Sequence, residues 1–386
     1  MNIKYGLVSC DSHVALSKDA FTSRMSKAKW GDRIPHVVEI EDEARSVHRW
    51  SVNGQIMGRT GARGGSICNC PALMKDAGLK YPQRWEEIPP QAYVPSERLK
   101  ALDLDRIDVE VLFPNDPGSF YQYGDADFEL ACVRAYNDAL TEWRKVSDRY
   151  VPLAMIPFLS DMSTIVAEVE RASRQGHRGI LMVAEPSAVI PGVQHISEDF
   201  WSTLWAACED LELPINIHAS GGLGSKLGLP RWQGYASNEY HAAFTIPCGA
   251  LPAQQIANLV FSGVLYRHPR LKWVFAESGI GSINYIRQAC DHEWERRRLR
   301  AEGLLLRPSE VIRRQIYVDF WFEKAGVDMR HEIGVENIMW ESDFPHISSV
   351  YPDSWRLVEE TLQGVPDEDR RKMLWENAVK LYSLSQ

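Results

Sequence analysis

Short apolar runs alternate with longer amphipathic stretches along most of this chain, and that alternation predicts its elements. A first strand runs from Tyr5 to Cys10 and ends at Asp11-Ser12-His13. The pattern becomes regular from Ser96, with a helix through Glu97-Arg98-Leu99-Lys100-Ala101-Leu102, a strand at Val109–Phe113 and a long helix from Asp125 to Ser147. It continues as strand Val151–Phe158, helix Met162–Gln175, strand Gly179–Val183, helix Glu198–Leu211 and strand Pro214–His218. A Gly-rich loop and a helix ending near Val264 lead to strand Leu271–Ala276, helix Ser282–Arg298, strand Gln315–Phe320, helix Ala325–Ile333, strand Asn337–Trp340 and terminal helices.

Eight strands, nearly all followed by a helix, predict an α/β fold: a (β/α)8 TIM-type barrel with its site at the C-terminal strand ends. An open doubly wound sheet is the alternative. No G-x-G-x-x-G follows the first strand and no P-loop is present, which argues against the nucleotide-binding forms of that alternative. Residues 14–95 break the alternation; they are rich in Gly, Arg and Trp and include Gly61-Ala62-Arg63-Gly64-Gly65. They read as a long insertion after strand one within a single barrel domain, with Trp30, Trp50, Tyr81, Trp85 and Tyr93 forming a satellite core or a substrate lid. Arg59 and Arg63 read as solvated loop arginines or as contacts for an anionic substrate.

Composition narrows the partners. A net charge of -9 gives no basic face for nucleic acid, and no apolar run reaches the length of a membrane span. The N-terminal Met1-Asn2-Ile3-Lys4-Tyr5 lacks a signal-peptide layout, so the expected location is cytoplasmic. The seven cysteines are odd in number and scattered, which fits reduced thiols; Cys68-Asn69-Cys70 is the one close pair and has no zinc-finger partners.

The candidate chemistry lies where strands end. Asp11 and His13 are two apart on one strand and share a face, although such a pair alone reads equally as a cap and a core histidine. His218 ends the strand Pro214-Ile215-Asn216-Ile217 and is followed by Gly221-Gly222, which allow close approach. Glu277 follows Val274-Phe275-Ala276, where a buried charge needs a metal, an Arg or a helix N-terminus. Asp343 follows Ile338-Met339-Trp340 and precedes Phe344-Pro345-His346. Several such groups at the same ends of different strands point to a metal site. Carboxylate and imidazole donors without thiolate suit one or two divalent ions of zinc, iron or manganese.

The stretches Cys10-Asp11-Ser12-His13-Val14, Asn216-Ile217-His218-Ala219-Ser220-Gly221-Gly222, Arg267-His268-Pro269-Arg270-Leu271-Lys272, Glu277-Ser278-Gly279-Ile280-Gly281 and Ser342-Asp343-Phe344-Pro345-His346 resemble the amidohydrolase superfamily, in the branch of the aminocarboxymuconate semialdehyde and resorcylate decarboxylases. The resemblance implies a metal-dependent (β/α)8 barrel with Asp11, His13, His218 and Asp343 as ligands, and it makes a homodimer an expectation. Three departures stand out. The first pair is Asp-x-His where many members have His-x-His; strand four lacks the bridging lysine of binuclear members, with Glu185 just beyond it; and Glu277 replaces the His that these decarboxylases present. His292 is a further candidate ligand on a helix face.

Glu277 in place of His favours metal-assisted hydrolysis of an ester, thioester or amide of a small organic acid, with Asp343 as general base and acid and His346 or His241 steadying the oxyanion. The alternative is non-oxidative decarboxylation of an aromatic or enoic acid, with Asp343 protonating carbon. A third reading is a ligand-binding barrel without chemistry, against which the complete acid and histidine set argues.

Overall fold

The computed structural model describes residues 3–42, 45–57, 72–73, 82–114, 117–218 and 252–384. The chain divides into two compact units, Met1–His177 with Ser342–Trp355, and Arg178–Glu341 with Arg356–Gln386.

In the first unit, β1 (Val8–His13) is followed by an antiparallel sheet of β2 (His36–Asp42), β3 (Arg45–Val52) and β4 (Gln55–Ile56), and then by β5 (Val109–Phe113) and β6 (Tyr150–Pro152). β1, β5 and β6 form a parallel sheet in that order, and every residue of the three strands is buried. That burial is why they read as apolar runs rather than as alternation. Helices α1 (Pro95–Asp105), α2 (Ala126–Val146) and α3 (Met162–Arg174) belong to this unit. Asp125 and Asp161 cap α2 and α3 by accepting the backbone N–H groups of Phe128 and Thr164 at 3.0 and 2.7 Å.

β1 runs three residues beyond its expected end, through Asp11-Ser12-His13. The extension is held from the far end of the chain: Asp343 N–H donates to the Asp11 carbonyl at 3.0 Å and His13 N–H to the Phe344 carbonyl at 2.8 Å. β6 is shorter than the expected Val151–Phe158 because side chains of α2 take over the backbone donors beyond it. Asn137 Oδ1 accepts from Met155 N–H at 2.9 Å and Glu129 from Phe158 and Leu159 N–H at 3.0 and 2.7 Å.

The described part of the insertion is more ordered than its sequence suggests. β2 and β3 pair from His36↔Ser51 to Asp42↔Arg45, and Asn53-Gly54, both at positive φ (53° and 75°), turn the chain into β4. Trp50 packs edge-on against Trp85 and Phe21, with ring centroids 6.2 and 5.8 Å apart, and Phe21 packs on Tyr136 of α2 at 6.2 Å. The satellite core thus rests on a helix of its own unit. Tyr81, Arg59, Arg63, Cys68 and Cys70 lie outside the described residues.

In the second unit, β7 (Ile180–Met182), β8 (Ile215–His218), β9 (Trp273–Ala276), β10 (Ile316–Phe320) and β11 (Ile338–Trp340) form a parallel sheet in chain order. α4 (Ser202–Asp210), α5 (Pro252–Phe261) and α6 (Ser282–Arg296) lie between successive strands in the chain. Three parallel strands in one unit and five in the other match the strands expected from the sequence. Among the described residues, no helix is long and apolar enough to cross a membrane.

Candidate metal centre

The first unit gathers Asp11, His13, Asp343 and His346. His13 Nε2 lies 3.2 Å from Asp11 Oδ1 and 3.1 Å from Asp343 Oδ1, and both carboxylates are fully buried. His346 stacks on His13, with ring centroids 4.1 Å apart, and places Nδ1 3.6 Å from the same Asp343 oxygen. Ser348 Oγ donates to the other, Oδ2. Donor atoms of His13, Asp343 and His346 all fall within 4.8 Å of one another.

This cluster is built from backbone as much as from side chains. Asp343 is held at φ 52°, a left-handed conformation that costs a non-glycine residue roughly 1–2 kcal/mol. Its neighbours over-determine it. Ser9 Oγ accepts from Ser342 N–H at 3.0 Å and lies 2.9 and 3.0 Å from the Ser342 and Ser12 hydroxyls. Arg98 donates to both oxygens of Glu110 at 2.8 and 2.9 Å and, through Nη2, to the Phe344 carbonyl at 3.0 Å, while its guanidinium lies 4.2 Å from the Phe344 ring centre. Arg98 and Glu110 have no exposed side-chain surface. Sequence reading missed Ser9, Arg98, Glu110 and Ser348: each acts by tertiary contact, and only a charged residue within the buried strand Val109–Phe113 signalled that a partner must exist.

The second unit supplies a separate pair. His218 ends β8, and its Nε2 lies 3.5 Å from Glu277 Oε2, just past β9. Glu277 also takes a left-handed φ of 51°, and its N–H donates to Glu341 Oε2 at 3.0 Å. The Glu277 carboxylate therefore has an imidazole partner in its own unit. His218 also lines a small recess with Ile217, Gln255, Phe275 and Ser278.

Other expected site residues fall elsewhere. His292 is exposed on α6 and does not belong to any of the described donor groups, because the inward face of that helix is taken by Ile283, Ile286, Cys290 and Trp294. Glu185 accepts from Ser187 N–H at 3.2 Å and pairs with His195 Nε2 at 2.9 Å, a structural use of the acid beyond strand four. His241, Gly221 and Gly222 lie outside the described residues.

The first-unit cluster fits a cation. Asp343 Oδ1 is buried and faces two imidazoles, with His13 Nε2 at 3.1 Å and His346 Nδ1 at 3.6 Å. Burial alone would push His13 toward neutrality, yet the Asp11 and Asp343 carboxylates outweigh it and raise its pKa to about 10. Two buried carboxylates around one imidazole favour positive charge at this point. Oxygen and nitrogen donors of this kind suit a divalent ion of hard or intermediate character.

Comparison with known proteins identifies the family. An amidohydrolase family profile matches residues 47–384. The chain is 22% identical over 364 residues to the 2-amino-3-carboxymuconate-6-semialdehyde decarboxylase of Caenorhabditis elegans, which covers 81% of this chain and 86% of the relative. Among solved structures, an amidohydrolase from Mycobacterium avium subsp. paratuberculosis K-10 aligns at a TM-score of 0.77 with 19% identity over 99% of this chain and 100% of its own. A dihydroxybenzoic acid decarboxylase from Polaromonas sp. JS666, solved with bound manganese and the inhibitor 2-nitroresorcinol, aligns at 0.61 with 20% identity over 82% and 94%. The fold class is the expected α/β (β/α)8 barrel. The expectation of acyl hydrolysis is overturned, because the relative matched over most of both chains is a decarboxylase. Glu277, on which that expectation leaned, lies 3.5 Å from the His218 imidazole. With the family profile spanning all but the first 46 residues and the last two, the chain belongs to the amidohydrolase family.

Proposed function

We propose that this protein is a metal-dependent, non-oxidative decarboxylase of a small aromatic or enoic acid. The observation that carries the reading is the similarity to a decarboxylase along most of both chains. The convergence of buried acid and imidazole around Asp343 supports it. Asp11, His13 and Asp343 would hold the ion, since the first unit brings His13 Nε2 within 3.2 Å of the Asp11 carboxylate and 3.1 Å of the Asp343 carboxylate. Manganese is the first ion to test, being the one bound by the dihydroxybenzoate-acting neighbour. A divalent cation, when bound, supplies the positive charge that receives a substrate carboxylate and an adjacent hydroxyl.

Asp343 delivers the proton. Ser348 donates to Oδ2, and Oδ1, the oxygen that faces the two imidazoles, carries it. The bond between the substrate carbon and its carboxylate breaks, the electron pair stays on that carbon, the Asp343 proton forms the new C–H bond, and carbon dioxide leaves. His346, its side chain 28% exposed and 3.6 Å from Asp343, then returns a proton from solvent to the buried acid.

The test is a panel of dihydroxybenzoates, 2-amino-3-carboxymuconate semialdehyde and simple aryl esters, offered to manganese-loaded protein with headspace carbon dioxide and acid release both recorded. Carbon dioxide from at least one acid, with the esters untouched, is expected. Turnover of esters alone would reject the reading.

A further inference from the structure

Beyond β7, the second unit carries a histidine that is engaged at both ring nitrogens. His195 Nε2 lies 2.9 Å from Glu185 Oε2, and His195 Nδ1 lies 2.6 Å from the Ser197 hydroxyl. Asn258 of α5, at 3.5 Å from Nε2, is too distant to displace the acid. The decarboxylation proposed above uses none of these side chains, and all of them belong to one unit.

The turn decides which nitrogen carries the proton. Ser197 N–H donates to His195 Nδ1 at 3.2 Å, so that nitrogen presents its lone pair and the ring proton sits on Nε2, beside Glu185. The hydroxyl 2.6 Å from the same lone pair is therefore a donor. A serine that points its proton at an imidazole nitrogen, with a carboxylate on the far side of the ring, is arranged for nucleophilic attack. The ring takes the proton as the new bond forms, and the carboxylate stabilises the resulting imidazolium.

The segment is held in this arrangement before any reagent arrives. Glu185 is 5% exposed, and its Oε1 accepts from Ser187 N–H, the Ser187 hydroxyl and Ile196 N–H at 3.2, 2.9 and 3.3 Å. His195 N–H donates to Glu198 Oε1 at 3.2 Å, Glu198 N–H donates back to the His195 carbonyl at 3.0 Å, and Ile196 between them is fully buried. The base and the nucleophile are open where the acid is not: the His195 side chain is 35% exposed and Ser197 is half-buried, which lets a reagent from solvent reach the hydroxyl.

We propose that Ser197 is a nucleophilic serine, activated by His195 and Glu185, and a covalent modification site for organophosphorus electrophiles. Ser197 Oγ bonds to phosphorus and its proton passes to His195 Nδ1. The bond from phosphorus to the leaving group breaks, and that group departs with the bonding pair. One phosphoryl ester per chain remains on Ser197.

The experiment treats the full chain with diisopropyl fluorophosphate and reads fluoride release, intact mass and the labelled peptide. Wild type, Ser197→Ala and His195→Gln are compared, with melting curves for each and wild type in urea as the unfolded control. Wild type is expected to take up one diisopropylphosphoryl group, located on Ser197, and to lose that reactivity in urea. Ser197→Ala should take up none at this peptide while melting as wild type does, and His195→Gln should react about 10²-fold more slowly or less. Absence of label on Ser197 in folded wild type would overturn the proposal, and so would labelling as fast in urea or in His195→Gln.

Discussion

The two units treat buried polarity in opposite ways. In the first, the groups that place Asp343 are tied down: the Ser9, Ser12 and Ser342 hydroxyls lie together, Arg98 spans Glu110 and the Phe344 carbonyl, and Asp11 receives the Asp343 N–H. In the second, Gln255 is buried with both ends of its amide open beside His218. The difference separates two ways of holding a buried group. A group that must deliver a proton to one atom has to be held still in advance, and that takes a saturated network. The Gln255 amide of the second unit, by contrast, is held by packing and not by hydrogen bonds among the described residues.

The contrast predicts unequal costs. The largest is expected at Arg98. Arg98→Met leaves Glu110 charged and buried without its partner and should lower unfolding stability by about 3–5 kcal/mol in urea titrations. Combining it with Glu110→Leu should restore most of that stability, while manganese affinity stays below wild type because the Phe344 carbonyl has still lost its donor. Full recovery of both would make the pair a core feature with no bearing on the Asp343 loop. Next in size is a pH effect at His177, whose Nε2 lies 3.1 Å from the Asn137 carbonyl and 3.2 Å from the Thr141 hydroxyl. Burial is the main cause that lowers its pKa, to about 4, against hydrogen bonds that work the other way. The folded state therefore keeps this imidazole neutral, whereas the unfolded chain protonates it near 6.5. Its contribution is complete above about pH 6.5 and is lost as pH falls toward 4, by up to about 3 kcal/mol. Melting curves between pH 7 and 4.5 should show that loss, reduced in His177→Gln; parallel curves would contradict it. At the small end stands Gln255→Leu, which should cost no stability.

Much of the scaffold was readable because buried parallel strands are continuous apolar runs, and each of the expected strands is present. The acids and histidines at their ends were readable for the same reason, since a charge that closes such a run is conspicuous. What could not be read was reciprocal and distant: Arg98 with Phe344 is separated by 246 residues, and Ser9 with Ser342 by 333. The hairpin in the insertion was overlooked although Asn53-Gly54 and the alternation of Val38-Glu39-Ile40-Glu41 advertise it, because glycines and arginines further on set the character of the whole stretch. Glu277 was weighed for hydrolysis by its identity alone, and only the fold places His218 beside it.

The most direct test of the central claim is where the proton goes. Manganese-loaded protein is incubated in heavy water with whichever acid of the panel releases carbon dioxide, and the product is read by NMR. One deuteron at the carbon that carried the carboxylate is predicted, with the rate falling by about 10²–10⁴-fold in Asp343→Asn. A product without deuterium at that carbon, or an Asp343→Asn variant as fast as wild type, would contradict the account.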